Sequence, residues 1–222
     1  MPTAIDQLIR SRRKTIALIV QPDGRLLVRA PLRMTESRIQ EFVEAHSDWV
    51  TRNQVRARLS TPPPVHCYET GEPFAYLGQF YPLTIVPRQR PALTFDGRCF
   101  RLARSTQPKA EQAFTRWYRQ QALEVMAERV EAAAKQFGFS YQKIRISSAR
   151  TRWGSCSSRG TLSFTYRLVM APPDVVDYVI LHELVHTQVR NHSRTFWGRV
   201  ASLMPDYKRR MAWLKKNGQR LA

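Results

Sequence analysis

Hydrophobic and polar positions along the chain fall into two periods. Residues 14–29, KTIALIVQPDGRLLVR, hold two β-rich runs around Pro22-Asp23-Gly24, the signature of a hairpin. From Thr35 to about Arg58 the spacing turns helical through Ile39, Phe42, Val43, His46 and Val50, with Thr35 placed to cap it. Thr61-Pro62-Pro63-Pro64 breaks that helix and marks a boundary. Short β-type runs recur from Tyr68 to Ala103 between glycines and prolines. The clearest helix is EQAFTRWYRQQALEVMAERVEAAAKQFG, with an apolar stripe through Phe114, Trp117, Tyr118, Met126, Val130, Ala133 and Phe137. Gly138 stands at its C-terminal cap.

Downstream, Lys143-Ile144-Arg145-Ile146 precedes the alternating run Leu162, Phe164, Tyr166, Leu168, Met170, which predicts a strand over 162–170. Pro172-Pro173 opens a helix, DVVDYVILHELVHTQVR, where a first-turn proline costs nothing. Ser193 caps a following helix, and Pro205 separates it from a last basic one, DYKRRMAWLKKNG. Strand-type and helix-type stretches are segregated, so the fold class is α+β. No internal repeat is visible. The expected division is a β-rich region with one helix over 1–105 and a catalytic region over 106–222, the alternative being one integrated domain.

Composition narrows the classes. At 222 residues and 43% hydrophobic the chain can bury a core and is no disordered polycation. The three cysteines, Cys67, Cys99 and Cys156, are odd in number and form no CxxC pair, which points to a reducing, cytoplasmic setting. No apolar run reaches the ~20 residues of a membrane span, and TIALIV is too short for a signal-peptide core. The net charge of +19 suits anionic partners, nucleic acid among them, or reflects an arginine-rich composition.

The chemistry lies in His182-Glu183-Leu184-Val185-His186. Histidines four apart share one helix face and can grip one cation, with Glu183 beside the open position to take a proton from metal-bound water. A catalytic zinc needs a third protein ligand. After Glu183 the only carboxylate is Asp206, whereas His192 lies six residues past His186, an HExxH-x5-H spacing. Proteases with that spacing place a glycine where this chain has Val189, and Asn191 is the residue suited to a left-handed turn instead. Three of the five histidines thus fall within eleven residues, while His46 and His66 are structural. Three imidazoles suit one Zn2+, and also Ni2+, Co2+ or copper.

The stretch from RTRWGSCSS through RLVMAPP and DYVILHELVH to NHSRTFW resembles the YgjP-like family of zinc-dependent metallopeptidases, relatives of SprT-like zincins. GEPFAYLGQFYPL and RRKTIALIV resemble it too, so the likeness covers most of the chain. It implies His182, His186 and His192 as metal ligands, Glu183 as catalytic acid/base, and a zincin-like core in which the strand before the metal helix flanks the cleft.

Other roles stay open at this level. Tyr166 and Arg167 are candidates for oxyanion or substrate contact, on opposite faces of the expected strand; Arg167 could instead pair with Asp177. Arg152 could line the cleft, whereas Trp153 and Trp197 read as core and Cys156 as a buried small hydrophobe. Asp174, Asp177 and Asp206 are candidates to orient a ligand imidazole. Three functions compete. One is a zinc peptidase using zinc-bound water, with a peptide added to an edge strand at Leu162–Met170. The second is a metal-dependent phosphoanhydride hydrolase acting on nucleoside triphosphates or another anionic small molecule. It is favoured by seven Lys or Arg (135, 143, 145, 150, 152, 159, 167) and no acid between Glu131 and Asp174. The third is a nucleic-acid-associated protease docking through Lys208-Arg209-Arg210 and Lys215-Lys216.

Overall fold

Period-two runs near the N-terminus form three strands: β1 (Gln7–Ser11), β2 (Ala17–Val20) and β3 (Leu26–Pro31). This computed structural model describes residues 3–21, 23–59 and 66–221. Strand β2 pairs antiparallel with β3, Leu18 opposite Val28, so the expected hairpin forms, with Gly24 at φ 86; Pro22 lies outside the described residues. Strand β1, not foreseen, pairs parallel on the other side of β3. The expected helix over 35–58 is two, α1 (Glu36–Ala45) and α2 (Ser47–Leu59). The break is at His46, whose Nδ1–H donates to the Phe42 carbonyl at 2.8 Å while its ring stacks on Phe42. Thr35 caps α1 by accepting from the Arg38 N–H. Leu26, Val28, Ala30, Ile39, Val43 and Val50 form the core of this unit, Met1–Pro63. The expected break at Thr61-Pro62-Pro63-Pro64 lies outside the described residues.

The second unit, Pro64–Ala222, contains everything that positions the histidines. Strands β4 (Pro73–Tyr76), β5 (Gln79–Val86), β6 (Leu93–Phe95) and β7 (Phe100–Ala103) form a sheet in the order β4-β5-β7-β6. Helix α3 (Ala110–Phe137) buries Ala110, Phe114, Tyr118, Ala122, Met126, Val130 and Ala134, a face repeating every four residues. Gly138 closes it at φ 71, as its lack of a Cβ allows. Phe114 stacks on Phe74 at 4.1 Å, and the Tyr118 hydroxyl donates to the Ala75 carbonyl at 2.7 Å. The division expected between residues 105 and 106 therefore falls inside this unit, because β4 to β7 share one core with α3.

The remaining elements are β8 (Lys143–Ser147), β9 (Gly154–Cys156), β10 (Thr161–Thr165), α4 (Pro173–Val185), α5 (Arg194–Leu203) and α6 (Tyr207–Asn217). The whole is a mixed α/β structure with three sheets and six α-helices among the described residues. The strand expected over 162–170 stops at Thr165 and continues as a 3-10 turn over Tyr166–Met170. Tertiary hydrogen bonds override the alternation there. The Leu77 and Gly78 N–H groups donate to the Val169 and Met170 carbonyls, and residues 166 to 169 are all buried. Nor is β10 an edge: it lies between β8, parallel, and β9, antiparallel. The edge beside the histidines is β9.

Candidate metal centre

Helix α4 begins at Pro173 and is apolar on almost every side, with Val175, Val176, Val179, Ile180, Leu181, Leu184 and Val185 buried. Such a helix is held by packing rather than by its own propensity. His182 and Glu183 occupy its last turn, and His186 caps it. The chain then winds through Thr187 and Gln188, whose N–H groups donate to Leu184 and Val185 carbonyls, and returns His192 beside the helix end. No left-handed residue makes this return: the non-glycine residues with positive φ are Tyr68 and Leu77 among the described residues, not Asn191. Valine at 189 is thus unstrained.

The three imidazoles converge. The Nε2 of His192 lies 3.0 Å from that of His182 and 3.2 Å from that of His186. Tetrahedral ligation at a metal–nitrogen distance of about 2.0 Å sets nitrogens about 3.3 Å apart, so the spacing fits a zinc-sized ion. Burial pushes His182 down to about 3, helped by the two neighbouring histidines, and lowers His186 as well. Neutral imidazoles are the form a metal requires. His186 Nδ1–H donates to the Val189 carbonyl at 3.0 Å, which leaves its Nε2 lone pair free.

Aromatic rings wall the cluster. Ser193 caps α5 by accepting from the Phe196 N–H, and this fixes the buried Phe196 ring 4.4 Å from His186 and 4.8 Å from His182. Trp197 stacks on His192 at 5.6 Å.

Glu183 is 4% exposed, and its Oε2 has no hydrogen-bond partner. Burial pushes its carboxyl up to about 7, near the working range of a general base. Its seat depends on Gly154 of β9. A Cβ there would stand 2.6 Å from Glu183 Oε1 and 2.7 Å from its Cγ, so only glycine leaves room. A cavity of about 360 Å3 borders this pair, lined chiefly by Trp153, Tyr178, His182, Glu183, Met211 and Leu214.

The YgjP-like, metallopeptidase domain family matches residues 14–217. The chain belongs to this family. Membership makes it a metal-dependent peptidase, a hydrolase acting on peptide or protein substrates. Among solved structures it is similar to the metallopeptidase zymogen of Pyrococcus abyssi abylysin, at 21% identity and a TM-score of 0.38, over 41% of this chain and 93% of that one. That likeness is too slight to carry an argument. No curated protein matches. No described helix is long and apolar enough to cross a membrane.

In this YgjP-like chain the other candidates have the following surroundings. Arg167 and Tyr166 stack on each other at 4.5 Å, and the guanidinium donates to the Ser148 carbonyl. Asp177 pairs with Arg129 at 2.7 Å, not with Arg167 as expected. Asp174 and Asp206 both pair with Arg209, so the carboxylates expected to orient an imidazole are occupied by arginines instead. The backbone carbonyl of Val189 does that work for His186. Arg152 lines a separate basic cavity. Trp153 packs partly buried against Gly218, and the Cys156 thiol, raised by burial, donates to the Ser157 carbonyl. His66 accompanies Glu72 at 2.6 Å and stacks on Phe74, a structural role. Sequence reasoning missed the roles of Gly154, Phe196 and the Val189 carbonyl. For the first two the signal was present, since both lie inside the quoted motifs.

Proposed function

We propose that the chain is a zinc metallopeptidase in which His182, His186 and His192 hold the ion and Glu183 manages the proton. The observation that carries this is the meeting of three imidazole nitrogens at 3.0 and 3.2 Å, one residue away from a buried, unpaired carboxylate. A bound zinc ion would supply Lewis acidity towards the scissile carbonyl and the attacking water. Glu183 accepts a proton from that water as the oxygen bonds to the carbonyl carbon. It then delivers the proton to the amide nitrogen as the C–N bond breaks. The poorly solvated seat against Gly154 suits both halves of this exchange, because it disfavours the charged carboxylate and lets it take up a proton near neutrality. Phe196 stacks on His186 and Trp197 on His192, contacts that fix the orientation of those rings.

The test is metal analysis of the purified protein, followed by cleavage of casein-derived peptides by the wild type and Glu183→Gln. The expected result is about one zinc per chain in both proteins, with turnover falling by about 10²–10⁴-fold in the variant. Peptide turnover that survives the substitution refutes the role of Glu183. Absence of any divalent metal affinity refutes the site.

A further inference from the structure

A second concavity lies on the exposed face of the β8-β10-β9 sheet. The register sets Lys143 beside Thr161 and Arg145 beside Ser163, with Ser163 opposite Ser155 on β9. Side chains alternate across a strand, so these five share one face, while Ile144, Ile146, Leu162 and Phe164 turn to the core. Arg152 and Arg159, from the segments flanking β9, complete a cavity of about 720 Å3. Its lining contains four cations, several hydroxyls and no carboxylate. Lys143, Arg145, Arg152 and Arg159 make no ion pair with a described residue. Uncompensated like charges gathered in a concavity raise the local concentration of anions.

The cavity is tied to the metal centre twice. Gly154 of β9 is the residue that seats Glu183. Arg190, from the turn between His186 and His192, donates to the Ser157 and Ser158 carbonyls at 2.8 Å each, fastening the β9–β10 turn to the metal-binding turn. No strand among the described residues pairs with the outer edge of β9. An extended peptide added there sends every second side chain, about 6.8 Å apart, towards the basic face.

We propose that this cavity receives acidic side chains of the substrate, so that the enzyme selects peptides with Asp or Glu at alternate positions beside the scissile bond. The inference rests on the peptidase reading of the Glu183 site. A polypeptide is favoured over nucleic acid because the lining holds no aromatic ring on which a base could stack.

The experiment uses the full zinc-loaded chain and two labelled peptides of equal length, one alternating Glu with Ala and one alternating Gln with Ala. Binding is read by fluorescence anisotropy at about 50 mM salt, where exposed charges are weakly screened, and cleavage is read in parallel. The Glu peptide is expected to bind about ten-fold more tightly than the Gln peptide. That ratio should collapse towards one in Arg145→Gln/Arg159→Gln, whose folding is checked by its melting curve. Equal binding of the two peptides, or no binding of either, overturns the inference. So does an oligothymidylate that binds more tightly than the Glu peptide and is lost in the same variant. Acidic preference without cleavage upholds the cavity and defeats the peptidase mechanism; cleavage without acidic preference does the reverse.

Discussion

Gly154→Ala tests the seat of Glu183 without touching a charge or a histidine. The added Cβ would stand 2.6 Å from Oε1, 2.7 Å from Cγ and 2.9 Å from Cδ of Glu183. Ordinary contact begins at about 3.4 Å, so the carboxylate must shift by about 0.8 Å away from Gly154, out of its seat beside the cavity that it lines. Misplacing a reacting group by that order costs about 10²-fold in rate, and overpacking costs about 1–3 kcal/mol in stability. The histidine triad is built from α4 and its following turn alone, so metal content should hold. The measurements are kcat/KM on a casein-derived peptide, zinc per chain and the urea midpoint. Gly198→Ala is the control: its Cβ would meet nothing within 4 Å, and within α5 it should be neutral or stabilising by up to about 1 kcal/mol. A Gly154→Ala enzyme that folds, holds zinc and retains activity within about three-fold of wild type would show that the close approach to Glu183 has no catalytic meaning.

His192→Ala should lower zinc affinity beyond the about 100-fold that loss of an outer-sphere partner can cost, read by competition with a chromophoric chelator; unchanged affinity removes His192 from the ligand set. Asp177→Asn breaks only the half-exposed pair with Arg129, so it should cost no more than about 1 kcal/mol in urea melts and leave zinc binding intact, whereas a fall in zinc affinity would restore its imidazole-orienting role. Burial raises the Glu72 carboxyl, but hydrogen bonds from His66 and from backbone N–H groups outweigh it and hold the pKa below its ordinary value. A lowered pKa gives stability that is present above the unfolded value near 4.5 and is lost as pH falls through the folded one. Glu72→Gln should therefore cost about 1 kcal/mol at pH 7 and progressively less below pH 4.5; a penalty independent of pH contradicts this. Met126→Ala, at a side chain with 0% exposure between α3 and its core, should cost about 2–5 kcal/mol by denaturant titration.

The histidine geometry was legible because helical spacing converts sequence distance into spatial distance. His182 and His186 are one turn apart, and His192 is close enough for a short return to bring it back. The hairpin of β2 and β3, the long helix α3 and the caps Thr35, Gly138 and Ser193 were legible for the same local reasons. What escaped depends on partners far along the chain. The alternation over 162–170 was real, but Leu77 and Gly78 capture the Val169 and Met170 carbonyls and wind the second half into a 3-10 turn. That is why Tyr166 and Arg167 do not stand on opposite faces of a strand. Strand β1 has only a weak alternating pattern and is defined by its pairing with β3. Asp177 could reach Arg129 only once α3 and α4 had packed side by side. Gly154 was visible in the RWGSC run, but that its missing methyl group makes space for Glu183 is a fact about another element.

The two halves of the site differ in how far along the chain their parts must be gathered. The three imidazoles come from eleven consecutive residues, a span that closes at little entropic cost and can assemble early in folding. Glu183 reaches its seat only when Gly154, twenty-nine positions upstream, has docked as β9, and Trp153 beside it packs in turn against Gly218 near the other end of the unit. Local closure gathers the histidines; long-range closure makes the carboxylate useful. On the mechanism proposed above, the ligand set would therefore be complete as soon as α4 and its return are formed, whereas the base would wait on the docking of β9.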